Sequence, residues 1–257
     1  MMKSKQFAIA GLMLLMASAT LVSCHNTAVF SKDYVTEERL IKGFEEIEVV
    51  GSPNVYYTQA DTFSVKVKGP DNFVENILTE KNGKTLTIRN KGKWGMVNIS
   101  FSDEDELAVY VTSPDLVAVR VNGSGDFMSK DLIDTDKMDI TLRGSGDIHI
   151  DQLLCDRCDM ELIGSGDISM PSLEANEVSA VLIGSGDLDM RLIRVIDTNL
   201  SLRGSGDIDA DFMEDCHSVD CALNGSGDIN LSGKVDRFHG ETHGSGDIDT
   251  AKLTIEK

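Results

Sequence analysis

The sequence is poor in aromatic residues and proline, and these shortages narrow the class of protein. Aromatic residues make up 5% of the 257 residues, and there are four prolines and a single tryptophan, Trp94. Such a chain has few rings with which to build a sugar-stacking platform of the kind found in carbohydrate-active enzymes. The 23 glycines, set among short stretches of alternating apolar residues, predict many turns and strands rather than helices.

Basic residues are also scarce relative to acidic ones. The chain has 24 Lys and Arg against 43 Asp and Glu, which gives a formal net charge of −19. This balance excludes a nucleic-acid partner, because phosphate backbones are bound through a surplus of Lys and Arg. It also disfavours electrostatic docking of the whole chain on anionic lipid.

The one long apolar run lies at the N-terminus, where residues 1–23 are predicted to be a lipoprotein signal peptide. Lys3 and Lys5 precede an apolar segment, residues 7–16, which is too short to span a bilayer. The following residues 21–24 (Leu-Val-Ser-Cys) resemble the lipobox of bacterial lipoproteins, in which the cysteine is acylated and becomes the new N-terminus. Cys24 is therefore the predicted lipidation site, and several acyl chains would hold the protein in the bilayer.

Residues 24–42 are polar and without periodicity, which predicts a tether between lipid and domain. The residue after Cys24 is His25 rather than Asp, and this resembles the sorting signal for the outer membrane. No acidic cluster follows directly, so the sequence leaves open whether the protein faces the cell surface or the periplasm. The predicted location is a lipid anchor in the outer membrane.

A tetrapeptide repeat predicts the fold of the remaining chain. Gly-Ser-Gly-Asp occurs seven times, at intervals of 21, 20, 20, 20, 21 and 19 residues. A fixed period near 20 indicates one coil of a solenoid per repeat, with each coil stacked on its neighbours. The predicted structural turn residues are Gly123, Gly125, Asp126, Gly144, Gly146, Asp147, Gly164, Gly166, Asp167, Gly184, Gly186, Asp187, Gly204, Gly206, Asp207, Gly225, Gly227, Asp228, Gly244, Gly246 and Asp247.

Apolar residues alternate on both sides of each motif, which predicts a strand before and after the turn. The residue two before the first Gly and the residue after the Asp are both predicted to point inward. A third inward position is predicted at Leu132, Leu153, Leu173, Ile193, Met213 and Leu253, with Lys234 as its exception. We therefore expect an all-β, right-handed parallel β-helix with two or three short strands per coil of about 20 residues.

The seven motif aspartates are predicted to stack in a column about 4.8 Å apart. Their expected role is structural, with each carboxylate accepting hydrogen bonds from N–H groups of its turn. Weak Ca²⁺ binding along the column is the alternative, supported by Asp189, Asp209 and Asp249, which lie two residues beyond a motif Asp. We expect no cofactor, no specific metal site, and no phosphate loop, because no helix and no Lys follow the motif.

Residues 43–121 lack the tetrapeptide but alternate in the same way, so residues 43–257 are predicted to form a single domain with an irregular N-terminal part and a repetitive part over 122–257. Asn82-Gly83 predicts a hairpin, and residues 71–78 predict one short helix.

Besides Cys24 there are four cysteines, Cys155, Cys158, Cys216 and Cys221. We expect free buried thiols or local disulfides, since three coils separate the two pairs.

Residues 43–49 (Gly-Phe-Glu-Glu-Ile-Glu-Val), residues 109–116 (Val-Tyr-Val-Thr-Ser-Pro-Asp-Leu) and the repeated Gly-Ser-Gly-Asp-Ile resemble the putative auto-transporter adhesin family, head GIN domain. The resemblance covers residues 43–257. It implies a pectin-lyase-like β-helix and a role in cell adhesion, and it supplies no catalytic residues. A lipobox in place of a membrane-spanning β-barrel departs from a true autotransporter.

Three functions are compatible with the sequence. The first is a lipid-anchored interaction module of the cell envelope, adhesin-like and without catalysis, whose partners are the lipid bilayer and an unknown protein or glycan. The second is a structural or signalling lipoprotein that faces the periplasm. The third and weakest is a polysaccharide-active enzyme, because His149, His217, His239 and His243 are scattered and the repeats contain few aromatic residues.

Overall fold

A computed structural model describes residues 33–92, 107–214 and 216–256, and these residues are almost entirely β-structure. The single helix is α1 (Asp71–Val74), which is shorter than the predicted 71–78. The strands are β1 (Tyr34–Glu38), β2 (Glu46–Gly51), β3 (Asn54–Gln59), β4 (Ser64–Pro70), β5 (Ile77–Asn82), β6 (Thr85–Asn90), β7 (Ala108–Ser113), β8 (Ala118–Gly123), β9 (Phe127–Asp134), β10 (Lys137–Gly144), β11 (Ile148–Leu154), β12 (Arg157–Gly164), β13 (Ile168–Glu174), β14 (Glu177–Gly184), β15 (Leu188–Ile193), β16 (Asp197–Gly204), β17 (Ile208–Phe212), β18 (Ser218–Gly225), β19 (Ile229–Val235), β20 (Arg237–Gly244) and β21 (Ile248–Ile255).

The strands form two sheets, which confirms the predicted β-solenoid of about seven turns. The first sheet has the order β1-β4-β7-β3-β9-β11-β13-β15-β17-β19-β21, and the second has the order β20-β18-β16-β14-β12-β10-β8-β2-β6-β5. Each coil therefore contributes one strand to each sheet, the lower of the two numbers expected. From β8 onward every pairing within a sheet is parallel.

Within a coil, the Gly-Ser-Gly-Asp motif forms the sharp turn that leads from the second sheet to the first. The first glycines stay in register from coil to coil, so that Gly164 lies beside Gly144 on one side and Gly184 on the other. Like residues consequently stack on like residues. Leu142, Leu162 and Leu182 form such an inward column, and each is 0% exposed. Burial of a leucine side chain contributes about 1.5–3 kcal/mol.

The third predicted inward column is wrong at several positions. Leu132 is 48% exposed and Met213 is 47% exposed, while their chain neighbours Ile133 and Phe212 are buried. The number of residues between the motif Asp and this inward position differs among coils, and β-bulges absorb the difference. One shift lies between Met170 and Leu173, in the pairing of β13 with β15. A bulge adds one residue to a strand and so reverses which residues face inward beyond it.

The same irregularity explains the predicted exception at Lys234. Lys234 points outward, and the next residue, Val235, is 1% exposed and occupies the core. Gly233 precedes them with a φ of +92° and pairs with Phe212. The pairing of β19 with β21 contains a further register shift.

The N-terminal part closes one end of the solenoid. β1 and β4 pair antiparallel, and β5 and β6 form the hairpin predicted at Asn82-Gly83. Gly51 pairs in register with Gly123, so residues 51–54 (Gly-Ser-Pro-Asn) occupy the place of a motif turn. No helix in the described ranges is long and apolar enough to cross a membrane.

Candidate functional site

The Gly-Ser-Gly-Asp turns form a continuous edge along the solenoid, and their first glycine is required by its surroundings. Gly184 has a φ of +142°, a conformation that L-residues with a side chain rarely adopt. A Cβ atom built on Gly184 would lie 2.1 Å from the carbonyl oxygen of Gly164. That oxygen accepts a hydrogen bond of 2.9 Å from the N–H of Ser185. The backbones of successive turns are thus in direct contact.

The motif aspartates form a hydrogen-bonded ladder between coils. The backbone N–H of Asp147 donates to Oδ1 of Asp126 over 2.9 Å, and five further bonds of 2.9–3.2 Å repeat this contact up to Asp247. The ladder begins at Asn54, whose Oδ1 accepts from the N–H of Asp126 over 3.1 Å. The first six carboxylates therefore bind the following coil, whereas the sequence predicts a bond within each turn. Asp247, in the last coil, accepts from the N–H of its neighbour Ile248 over 2.9 Å.

A second acidic group lies on the outward face of the first sheet. Asp189, Asp209 and Asp249 line a shallow groove of about 440 Å³ on β15, β17 and β21. Two of the three already accept hydrogen bonds, since Nδ2 of Asn230 donates to Asp209 and the N–H of Ala251 donates to Asp249, each over 2.8 Å. Among the residues that the structure describes, no three His, Cys, Asp or Glu side chains come together as a metal cage.

The four cysteines described by the structure are reduced thiols and are buried in the solenoid. A hydrogen bond with Cys155 and, to a smaller extent, burial raise the pKa of the Cys158 thiol well above its usual value. Burial raises the pKa of Cys221 to about 12. Cys216 donates to the carbonyl oxygen of Glu214 over 3.5 Å. The thiols of Cys158 and Cys221 are thus held in the neutral form, which is a poor nucleophile.

Three of the histidines that the structure describes lie on the surface beside an acidic residue. Nε2 of His149 lies 2.5 Å from Oδ1 of Asp151, and Nδ1 of His217 lies 2.6 Å from Oδ2 of Asp236. His239 lies 3.5 Å from Glu241 at the far end of the second sheet. The first pair lies on β11, the second in the corners before β18 and β20, and the third on β20, so they do not assemble one reaction centre.

The match to a known family covers the whole solenoid. The family profile described as putative auto-transporter adhesin, head GIN domain, matches residues 43–214 and 193–257. The chain belongs to this head GIN domain family. This confirms the resemblance drawn from the motif residues.

Solved structures of similar proteins show the same fold. A putative adhesin from Bacteroides fragilis has a TM-score of 0.75 and 26% identity over 85% of this chain and 97% of that one. A putative lipid binding protein from Parabacteroides distasonis has a TM-score of 0.66 and 24% identity over 86% and 98% of the two chains. A putative adhesin from Parabacteroides merdae has a TM-score of 0.62 and 16% identity over 86% and 98%. No curated protein matches the chain.

The predicted lipidation site of this head GIN domain protein, Cys24, lies outside the described residues. The described chain begins nine residues later, at Asp33, and enters β1 at the edge of the first sheet. The predicted anchor would therefore join the solenoid at its closed, N-terminal end.

Two features of this head GIN domain were missed by sequence reasoning. Residues 51–54 form an additional motif turn, which the shared Gly-Ser and the Asp-like Asn54 could have indicated. Tyr56 and Tyr110 stack on the outward face of the first sheet, with ring centroids 5.3 Å apart. The alternation of inward and outward residues could have indicated this pair, because the flanking Val55, Val109 and Val111 all point inward and leave the tyrosines outward.

Proposed function

We propose that this protein is a lipid-anchored interaction module of the cell envelope, adhesin-like and without catalysis. The observation that carries the proposal is the register of the coils. Seven coils stack with like residues side by side, which gives two long, rigid outward faces suited to binding a large partner. Membership in a family of putative adhesins supports the same role.

The absence of catalysis is part of the proposal, and the state of the reactive side chains supports it. The cysteines are buried with the pKa values of Cys158 and Cys221 raised, and the motif aspartates are engaged in a structural ladder. The grooves along the described faces are shallow and open to solvent. A polysaccharide-active enzyme would instead need a paired acid and base at one spot in a cleft.

The anchor in the proposal is acylated Cys24 in the outer membrane, with the solenoid displayed at the cell surface. The lipobox, His25 after the cysteine and the polar tether support this arrangement. A structural role facing the periplasm is the alternative, and it shares the anchor but not the orientation.

The experiment compares intact and lysed cells that produce either the full chain or its Cys24→Ala variant. We expect an antibody against the solenoid to label intact cells that carry the full chain, and labelled cells to adhere to a host-cell layer better than a deletion strain. The Cys24→Ala protein should be lost from the membrane fraction. Labelling only after lysis would refute surface display and support the periplasmic alternative.

A further inference from the structure

We propose that the outward face of β1, β4, β7 and β3 rests on the lipid bilayer and orients the solenoid on the envelope. We call this surface the tether-proximal face and define it by Tyr34, Leu40, Tyr56, Lys66, Lys68 and Tyr110. The inference rests on the lipid anchor of the proposed function and adds a contact surface to it.

Exposed apolar side chains support this contact. Tyr34 is 40% exposed, Tyr110 is 42% exposed, and Leu40, two residues after the end of β1, is 90% exposed. Tyr56 and Tyr110 stand side by side on neighbouring strands. A tyrosine has an apolar ring and a polar hydroxyl, and it is therefore suited to the boundary between lipid tails and headgroups.

Lysines flank the aromatic pair on the same face. Lys66 pairs with Tyr110 in the register of β4 and β7, and Lys68 is two residues further along β4. Both lysines are exposed, while Val65 and Val67 between and beside them are buried, so β4 presents its lysines outward. Ammonium groups in this position can reach lipid phosphates while their stems cover apolar surface.

The tether brings this face, rather than the far end, to the membrane. Cys24 is nine residues before Asp33, and nine residues span at most about 30 Å. β1 is the edge strand beside β4, so the tether enters at the tether-proximal face. β21 is ten strands further along the sheet, about 48 Å away.

Charge differs between the tether-proximal face and the far strands of the first sheet. The formal net charge of −19 disfavours docking of the whole chain on anionic lipid. Within the tether-proximal face, the acidic Glu38 pairs with Lys66 across β1 and β4, while Lys68 pairs with the neutral Thr36. Asp189, Asp209 and Asp249 stand on the far strands of the same sheet. An anionic surface repels these carboxylates, so the far end of the sheet is expected to tilt away from the bilayer while Lys66 and Lys68 face the lipid.

The test places a tryptophan at the face and measures its contact with lipid. The full, acylated chain with Trp94→Phe and Tyr110→Trp is reconstituted in vesicles of phosphatidylglycerol and phosphatidylethanolamine, with and without brominated phosphatidylcholine. We expect the brominated lipid to remove most of the fluorescence of this probe. The matched control, Asn230→Trp, stands seven strands away on the same sheet and should keep its fluorescence.

A second probe and a charge variant complete the test. Leu40→Trp, at a 90% exposed position, should fold normally and should also be quenched. Adding Lys66→Gln and Lys68→Gln should weaken quenching at position 110, because two phosphate contacts are lost. Equal quenching at positions 110 and 230, or quenching at neither probe of the face, would overturn the inference.

Vesicle flotation separates this inference from the anchor. If the chain floats with vesicles, the Cys24→Ala variant does not, and neither face probe is quenched, then the anchor stands and the bilayer contact is refuted. If the full chain does not float, the anchor is refuted and the contact falls with it.

Discussion

Each Gly-Ser-Gly-Asp turn is bound to the preceding turn through main-chain atoms, so a neighbouring turn one coil away constrains each position in it. The first glycine leaves room for a carbonyl oxygen of the preceding coil, and the aspartate accepts the N–H of the following one. These contacts are repeated along the stack. A substitution in one turn therefore acts on two coils.

Gly184→Ala should destabilise the solenoid by roughly 2–4 kcal/mol, because the new Cβ would require a strained φ and would overlap the carbonyl oxygen of Gly164. Urea denaturation followed by circular dichroism measures the loss. Ser185→Ala, in the same turn with an exposed side chain, is the control and should change stability little. Equal stability of both variants would contradict the close contact of the turns.

Asp187→Asn should leave stability within about 0.5 kcal/mol, whereas Asp187→Ala should cost about 1 kcal/mol. The amide oxygen of asparagine can accept from the N–H of Asp207 as the carboxylate does over 3.2 Å, while alanine leaves that N–H to solvent. Asn54 already fills this role at the base of the ladder. A loss for Asp187→Asn as large as that for Asp187→Ala would show that the charge, rather than the acceptor, is needed.

Stability should fall as the pH rises from 9 towards 12, and the buried thiols are one cause. The folded-state pKa of Cys221 is raised from 9.0 to about 12, so the folded protein keeps the thiol neutral while the unfolded chain ionises it. The stabilisation is complete below pH 9 and is lost as the pH passes through the folded pKa. Denaturation midpoints of the native chain and Cys221→Ala should approach each other over this range. A constant difference would refute the shift.

At this scale the sequence predicted which residues form the turn but not what they bind. Spacing alone identifies Gly184 and Asp187 as members of one repeated turn. The partner of Asp187 is the N–H of Asp207, and this bond exists only once two coils are stacked in register. A pattern along one chain carries no information on the distance between coils, so a bond within the turn was the natural expectation.

At the scale of the strand, the coils differ in how they reach the corner between the two sheets. Leu173 is buried after a register shift in β13, while Leu192 is buried by plain alternation in β15. The bulges allow coils of unequal length to stack with their glycines aligned. The register shifts found in the described strands all lie in pairings of the first sheet.

Leu192→Ala should destabilise the protein by about 2–5 kcal/mol, since Leu192 is 0% exposed and its removal leaves a cavity between Leu173 and Phe212. The neighbouring Ile193→Ala should cost less, because Ile193 is only partly buried. Thermal unfolding of the two variants makes the comparison. A larger loss of stability for Ile193→Ala would show that Ile193, as the sequence predicted, is the residue that points inward.

That column was mispredicted for a physical reason. A fixed offset from the motif places Leu153 and Leu173 in the core correctly, but it fails at Leu132 and Met213. Both strand faces there carry an apolar residue, so hydrophobicity cannot tell which one points inward. The bulge that decides it depends on pairing with the next coil.

At the scale of the molecule, the two ends of the stack are unlike. The N-terminal end is covered by antiparallel strands and by the contact of Phe44 with Phe63, whose ring centroids lie 5.2 Å apart. β20 and β21 in the last coil have mostly exposed side chains. The fold itself was predictable, since a period near 20 allows few alternatives to a solenoid.

Hydrogen exchange should therefore proceed faster in β20 and β21 than in β14 and β16. The inner strands pair on both sides, whereas the last coil has a described partner on one side only and little buried apolar surface. Mass spectrometry of peptic peptides after deuteration resolves the coils. Uniform protection along the chain would indicate that another surface covers the last coil.

The one-way direction of the aspartate ladder bears on how such a protein changes in evolution. Each coil offers an acceptor to the next and receives one from the coil before, so a duplicated unit of about 20 residues brings both halves of the connection with it. Gain or loss of a unit by recombination within the gene would alter the length of the solenoid by about 4.8 Å and leave every junction intact. The length of the two outward faces is thus heritable and changes in whole steps of one coil.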